Sequence, residues 1–372
     1  MYKTYTTVPP FGEWYYEDLR ALREALASSG LMQLEYQIGT EPVTSLPYTA
    51  FRVGPEESKS ALVIPTSLHG IEGHFGLQFV AWLVKYQPHW LRQLNQRGVS
   101  VLVYVLNPYG LVNLIRGDGV IADTNRGWPI PGAPLGNSDE GIPSDWIAAA
   151  CPERWSPKWD TLARTLDSDS GFARYAMGGN YNNPRHVTYG GNGVNLCAVG
   201  QALLQELEVN AVFQSATHVA VLDLHTGLGG WGEGPLLSPT TNQDVADLVR
   251  YWFGQTVDLI NQREGGVQVP VKGSMLQWLE YQLLQRGKTI LPLGYEAGLI
   301  LPGERPSPHM LLSRHVWLGH EPETPEETQA CNEALLRFVN ALHSPDPKWL
   351  PMVSAHALSA LTTLSKFLLS PV

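Results

Sequence analysis

The sequence predicts an α/β fold: a mixed, mostly parallel twisted sheet with helices on both faces. Three observations carry that expectation. Short apolar runs alternate along the chain with longer stretches of helical periodicity. Some of those runs, Ala61 to Pro65 and Val219 to Leu224 among them, read as strands buried in the middle of a sheet. The residues best suited to chemistry fall just past the ends of such runs, which is where open α/β sheets bind their ligands.

Taken in order, strands are expected at 33–38, 49–53, 61–66, 99–106, 218–224, 235–238 and 288–295. Helices are expected at 16–28, 74–86, 199–208, 242–262, 274–286, 307–317 and 325–343. The first two strands pair most readily as a hairpin, and the later ones alternate with helices, so the sheet is mixed and covered on both sides. The stretch 127–160 mixes Pro, Gly, Ser and acidic residues and reads as a long loop or insertion over the sheet. Near the C-terminus, 351–370 is the most apolar segment. His356, Thr362, Thr363 and Lys366 interrupt it at helical spacing, so a packed amphipathic helix is expected there rather than a membrane span. A chain of 372 residues could hold two average domains, but no linker or internal repeat divides this one. One domain over 1–372 is expected.

Composition narrows the function classes. The net charge of −10 disfavours nucleic acid as a partner, because its phosphates would be repelled and no basic stripe overrides the sign. Only 16% of residues are charged, whereas 12 Trp and 15 Tyr supply amphipathic surface suited to pocket walls or subunit contacts. Cys151, Cys197 and Cys331 are odd in number and widely spaced, which points to a reducing compartment. With no apolar secretory segment at the start of the chain, a cytoplasmic location is expected.

The chemistry is concentrated in two segments, Ser-Leu-His-Gly-Ile-Glu-Gly at 67–73 and Leu-Asp-Leu-His-Thr-Gly at 222–227. They offer His69, Glu72 and His225, two imidazoles and one carboxylate. A catalytic zinc uses that ligand count while keeping a fourth position open for water. Residues three apart meet on one face of a helical turn, so His69 and Glu72 can reach one ion. His225 arrives at the end of another strand. The same donors also suit nickel, cobalt or iron. Asp223 lies two residues before His225 on the same strand face; it either supports the imidazole or, as the favoured reading, caps the loop.

In this order the motifs resemble those of the M14-type zinc carboxypeptidase clan, and within it the bacterial DUF2817 branch. The matching segments are His69-Gly-Ile-Glu72, Asn107-Pro-Tyr-Gly110, Asp123-Thr-Asn-Arg126, His225 and Tyr295-Glu296-Ala-Gly298. Gly178 to Pro184 and Tyr189-Gly-Gly191 resemble the branch's middle segment more loosely. The likeness spans roughly 60–320, and the order of five motifs is far more specific than any one of them. It implies one zinc ion per chain held by His69, Glu72 and His225, a zinc carboxypeptidase-like fold, and hydrolysis of an amide next to a free carboxylate. It implies Glu296 as general base and Arg116 as the cation that stabilises the developing oxyanion. Asn125 and Arg126 would bind the substrate carboxylate, for which the planar guanidinium fork is suited. Competing readings are a surface position for Glu296, a solvated loop for Arg116 and a structural salt bridge for Arg126.

The substrate is less defined than the chemistry. The peptidase branch supplies a tyrosine shortly before the helix that precedes the glutamate strand, and Val267-Gln-Val-Pro-Val-Lys-Gly-Ser274 contains none. Asp123 to Pro129 and Asp223 to Gly227 also resemble the acylase branch of succinylglutamate desuccinylases and aspartoacylases. A small peptide and an N-acyl amino acid are therefore both candidate substrates, and a binding protein without chemistry is the third reading. Other motifs fail. Gly227-x-Gly229-x-x-Gly232 precedes a strand where a dinucleotide site needs a helix, and no Gly-x-Ser-x-Gly elbow occurs. Pro322 breaks the helix that His320-Glu321 would need in a metalloprotease motif.

Overall fold

The computed structural model describes residues 2–10, 12–131, 138–191, 196–261, 273–305, 307–318 and 320–370. Its strands are β1 (Gln33–Thr40), β2 (Pro47–Val53), β3 (Ser60–Pro65), β4 (Val99–Val105), β5 (His218–Thr226), β6 (Leu236–Ser238), β7 (Val257–Leu259) and β8 (Thr289–Ala297). They form one sheet in the order β1-β2-β4-β3-β5-β8-β6-β7. The middle, β4-β3-β5-β8, is parallel; β1 and β2 form the expected hairpin, and β2 joins β4 antiparallel. At the far edge β6 runs antiparallel to β8 and parallel to β7.

The helices are α1 (Glu13–Ser29), α2 (Gly73–Tyr86), α3 (Pro88–Gln96), α4 (Pro108–Asn113), α5 (Ser144–Ala150), α6 (Pro157–Leu166), α7 (Ser170–Gly178), α8 (Ala198–Val209) and α9 (Ala211–Ser215). They continue with α10 (Gln243–Phe253), α11 (Met275–Gln285), α12 (Pro308–Val316), α13 (Pro325–Leu342) and α14 (Trp349–Leu368). Successive strand residues point to opposite faces, and the core divides accordingly. Leu62, Ile64, Val101, Val103 and Leu222 pack with α1, α2 and α14 on one side. Ala61, Val63, Leu102, Val219 and Val221 pack with α8 and α11 on the other. A third apolar cluster has no strand in it: Trp159, Phe172, Leu312 and Phe338 join α6, α7, α12 and α13 beside the sheet.

Two expectations need correction. The helix expected over 242–262 stops at Phe253, because Gly254 takes φ 61 and turns the chain so that Val257–Leu259 can join the sheet edge as β7. The long loop expected over 127–160 instead contains α5 and the first turn of α6. Ser156 starts the latter by accepting a hydrogen bond from the Trp159 N–H, with Pro157 in the first turn. Residues 132–137 of that stretch, and 267–272 of the segment lacking a tyrosine, lie outside the described residues. The short helices α3, α4, α7 and α9 were not expected either. The C-terminal segment does form a packed helix, α14, which buries Val353, Ala357, Leu361 and Leu364. No described helix is long and apolar enough to cross a membrane. All three cysteines are free.

Candidate metal centre

The site forms where three parallel strands end side by side. After β3 the Ser67 hydroxyl accepts hydrogen bonds from the N–H groups of Leu106 at 2.8 Å and Asn107 at 3.3 Å, fastening this loop to the end of β4. Asn107 in turn caps α4 by accepting from the Gly110 N–H at 2.8 Å and donates to the Gly117 carbonyl at 2.8 Å. Gly70 and Gly110 lie backbone against backbone. A Cβ on Gly110 would come within 2.7 Å of the Gly70 Cα, so the glycines of the His-Gly-Ile-Glu and Asn-Pro-Tyr-Gly motifs permit one close approach. The loop carrying Arg116 hydrogen-bonds back through Gly70 N–H to the Arg116 carbonyl at 3.0 Å. It contains two non-glycine residues at positive φ, Leu114 at 49° and Ile121 at 63°, backbone strain of the kind that collects at functional sites.

His69, Glu72 and His225 are all buried, and one donor atom from each lies within 4.8 Å of the others. His69 Nδ1 is 3.2 Å from Glu72 Oε1, and His225 Nδ1 is 3.0 Å from Glu72 Oε2. The outer nitrogens rest on carboxylates. His69 Nε2 is 3.0 Å from Asp123 Oδ1, and His225 Nε2 is 2.8 Å from Asp223 Oδ2. Asp223 therefore does not serve as a loop cap. Strand geometry sends both side chains to the same face of β5, and they meet directly.

These donors fit a divalent cation. His69 Nδ1 is buried with no hydrogen-bond partner among the described residues, which is costly for an imidazole nitrogen unless something else occupies it. A tetrahedral zinc bound to N and O at about 2.0–2.1 Å separates its donors by roughly 3.3 Å; the two N···O spacings, each to a different Glu72 oxygen, are close to that, and the three donors together lie within 4.8 Å. Carboxylates behind the outer nitrogens would fix the tautomers and raise ligand basicity.

The electrostatics form one connected set. Burial pushes the Glu72 carboxyl up, but His69 and the hydrogen bond from His225 outweigh it and hold it well below the usual carboxylate range. Burial opposes the charge on His225, yet Asp223 and Glu72 raise it well above the ordinary imidazole value. Asp123, likewise buried, is held well below its usual value by Arg116, His69 and Arg126. Arg116 bridges the set, donating from Nε to Asp123 Oδ2 at 3.0 Å and from Nη1 to Glu72 Oε1 at 3.1 Å.

Glu296 closes β8 directly opposite His225 in the register. Burial first, then the Glu72 charge, pushes its carboxyl up to about 8, against the pull of His225, the Leu228 N–H and Arg116. Its Oε2 has no hydrogen-bond partner among the described residues.

Asn125 and Arg126 follow Asp123 in the same turn. The Asn125 N–H donates to Asp123 Oδ1 at 2.9 Å, and its side-chain oxygen accepts from the Met275 N–H at 3.0 Å. Arg126 is buried, donates from Nη1 to the Asn125 carbonyl at 2.9 Å, and leaves Nε without a partner among the described residues. No described carboxylate forms an ion pair with it, so the expected alternative of a structural salt bridge is not what the geometry contains. Burial lowers its pKa, opposed by Asp123. Asn180, from the loosely matching middle segment, donates to the Arg126 carbonyl and keeps an unpartnered Oδ1.

The structure thus brings every expected site residue to the strand ends on one side of the sheet, with Arg116 linking Glu72 to Asp123. Two supports were missed as such in the sequence, Asp123 and Asn180. Asp123 was visible as the first residue of its motif; Asn180 sits in the weakest one.

Comparisons with known proteins add the following. Bovine thrombin-activatable fibrinolysis inhibitor, solved in complex with tick carboxypeptidase inhibitor, is 12% identical, over 95% of this chain and 98% of that one, with a TM-score of 0.45. The carboxypeptidase A of Helicoverpa armigera is 9% identical, over 90% of this chain and 74% of that one, with a TM-score of 0.42. No curated protein matches the chain. Residues 15–355 match the family described as protein of unknown function (DUF2817), and the chain belongs to that family.

Proposed function

We propose that the protein is a zinc-dependent hydrolase that cleaves an amide bond next to a free carboxylate. The observation that carries this reading is the buried His69–Glu72–His225 group, with its unpartnered inward nitrogen and a raised carboxyl, Glu296, alongside. His69, Glu72 and His225 would hold the ion. When bound, such an ion acts as a Lewis acid and brings the pKa of water down to about 7.

The chain's own residues supply the rest. Glu296, beside His225 in the strand register, takes a proton from the attacking water through its free oxygen and returns it to the leaving amine. Arg116 keeps Nη2 for the developing oxyanion, since Nε and Nη1 are engaged by Asp123 and Glu72; a fixed donor in this role is worth about 3–4 kcal/mol. Arg126 and Asn125 orient the substrate by its carboxylate, and burial of the guanidinium strengthens that contact.

A second reading, an N-acyl amino acid deacylase, uses the same residues. The absence of a tyrosine from Val267 to Ser274 favours it. A screen of C-terminal dipeptides against N-acyl amino acids, run on metal-loaded protein, tests both. Turnover of one class assigns the substrate. Stoichiometric binding of both without product would replace hydrolysis by a binding role.

A further inference from the structure

A cavity of about 330 Å³ lies beside the sheet, between α6, α12 and α13, within the size range of small-molecule sites. One wall is the Trp155–Trp317 pair, stacked with ring centroids 5.4 Å apart and planes 22° apart. The base is fixed by a polar chain in which His309 Nε2 lies 2.9 Å from Asp160 Oδ1 and 3.0 Å from Ser313 Oγ. Arg164 donates to the other oxygen of Asp160 at 2.6 Å, so that carboxylate is fully engaged. Ala330 and Ala334, two of the lining residues on α13, keep the volume open where longer side chains would fill it.

Two donors on this lining have nothing to donate to. Arg337 forms no ion pair with any described carboxylate, and its Nε is buried without a hydrogen-bond partner. Trp317 is 5% exposed, and its indole N–H is likewise unpartnered among the described residues. A buried indole N–H and a buried guanidinium Nε–H without acceptors are both unfavourable. The acidic side is supplied by Glu326 and Glu333, exposed and two turns apart on the face of α13 that carries Ala330 and Arg337.

That arrangement selects a chemistry. A cationic or neutral ligand would leave Arg337 without a counter-charge, and a dianion such as phosphate would meet Asp160, Glu326 and Glu333. A single carboxylate joined to an ammonium satisfies both signs, and a flat apolar group suits the indole wall. We propose that this cavity binds an aromatic α-amino acid, free or at the end of a short peptide. Its carboxylate sits on Arg337 and the Trp317 N–H, its ammonium toward Glu326 and Glu333, and its ring along Trp155. The site is separate from the metal centre. From α12, between the two, Arg314 donates to the carbonyls of Leu114 at 3.2 Å and Asn113 at 3.0 Å, where α4 ends and the loop that carries Arg116 begins.

Calorimetric titration of the full chain with L-phenylalanine tests the assignment, using R126A to remove the carboxylate contact at the metal centre. The expected result is saturable binding of one equivalent to R126A. R337Q made in that background should weaken it about tenfold or more, and phenylalaninamide, which lacks the carboxylate, should lose as much. Binding that disappears in R126A, or that R337Q and the amide leave unchanged, overturns the proposal. So does an absence of saturable binding. Should R337Q not fold, judged by its thermal melt, the comparison of acid with amide on R126A decides alone.

Discussion

Two ends of one site differ in how far their polar groups are satisfied. At the metal end, His69 rests on Asp123, His225 on Asp223, and Glu72 on Arg116 and the Thr226 N–H; among the described residues His69 Nδ1, on the inward side, and Asp223 Oδ1, behind His225, lack a partner. At the other end Arg126 has a cation without an anion, and its Nε, the Glu296 Oε2 and the Asn180 Oδ1 are unpartnered. Buried polar groups are almost always hydrogen-bonded, so the contrast separates a supporting frame from the positions where ligands go. The frame is preorganised by neighbouring carboxylates, which hold each imidazole in one orientation. The unsatisfied groups are those a cation, a water and a substrate carboxylate would complete.

The comparison predicts graded losses. Removing a member of the frame should do most damage: H225A should lower turnover by about 10³-fold or more, because several kcal/mol of charge stabilisation leave with the ion. Turnover within tenfold of wild type would show that His225 is not a ligand. E296Q keeps the frame and removes the proposed base, so kcat should fall by about 10²–10⁴-fold with metal content unchanged. Loss of the ion from E296Q would move Glu296 from base to ligand.

A milder loss is expected where a charged contact goes but the chemistry stays. R126A should cost about 10–10²-fold in kcat/KM. Amidating the substrate carboxylate should cost wild type a similar factor and cost R126A little. Equal penalties in both proteins would place Arg126 in the structure rather than the substrate site. Behind the ligands, D223N should weaken metal affinity by about 10–100-fold without abolishing turnover at saturating metal. An unchanged affinity would make the Asp223–His225 contact incidental.

The smallest effect concerns a buried carboxyl outside the site. Burial, opposed by a hydrogen bond from the Thr240 hydroxyl, raises Glu280 to about 7. A folded-state value above the unfolded one means the folded chain binds the proton more tightly, so stability falls as pH rises from the ordinary carboxyl value through about 7. E280Q should therefore be more stable than wild type at pH 8 and gain little at pH 4. A denaturant series at the two pH values checks the sign; a gain at pH 4 alone would contradict it.

How much of this was legible in the sequence depends on what fixes each part. The strands β3, β4, β5 and β8 are buried on both faces, so apolar runs such as Leu62 to Ile64 and Val101 to Val103 marked them directly. His69 and Glu72 were legible because three-residue spacing is a local property, and His225 because it stands at the end of a strand. The helices α5, α6 and α7 were not, since they bury their apolar residues against one another rather than on the sheet and begin at single caps such as Ser156 and Asp169. The strand β7 has only three residues and borrows its conformation from β6. The contact of Asp223 with His225 was not legible as such, because a strand-end Asp two residues before a histidine serves equally well as a loop cap, the role the sequence favoured. Asn180 reaches Arg126 through the tertiary fold alone, which no spacing encodes.

The central claim is that His69, Glu72 and His225 form a metal site rather than a buried charge network. Elemental analysis of purified wild type beside H69A, E72A and H225A, each checked for an intact fold by circular dichroism, tests it most directly. The account predicts one zinc or other divalent ion per wild-type chain and near-zero content in all three variants. Folded wild type that takes up no divalent ion after incubation with zinc, or variants that retain full occupancy, would contradict it.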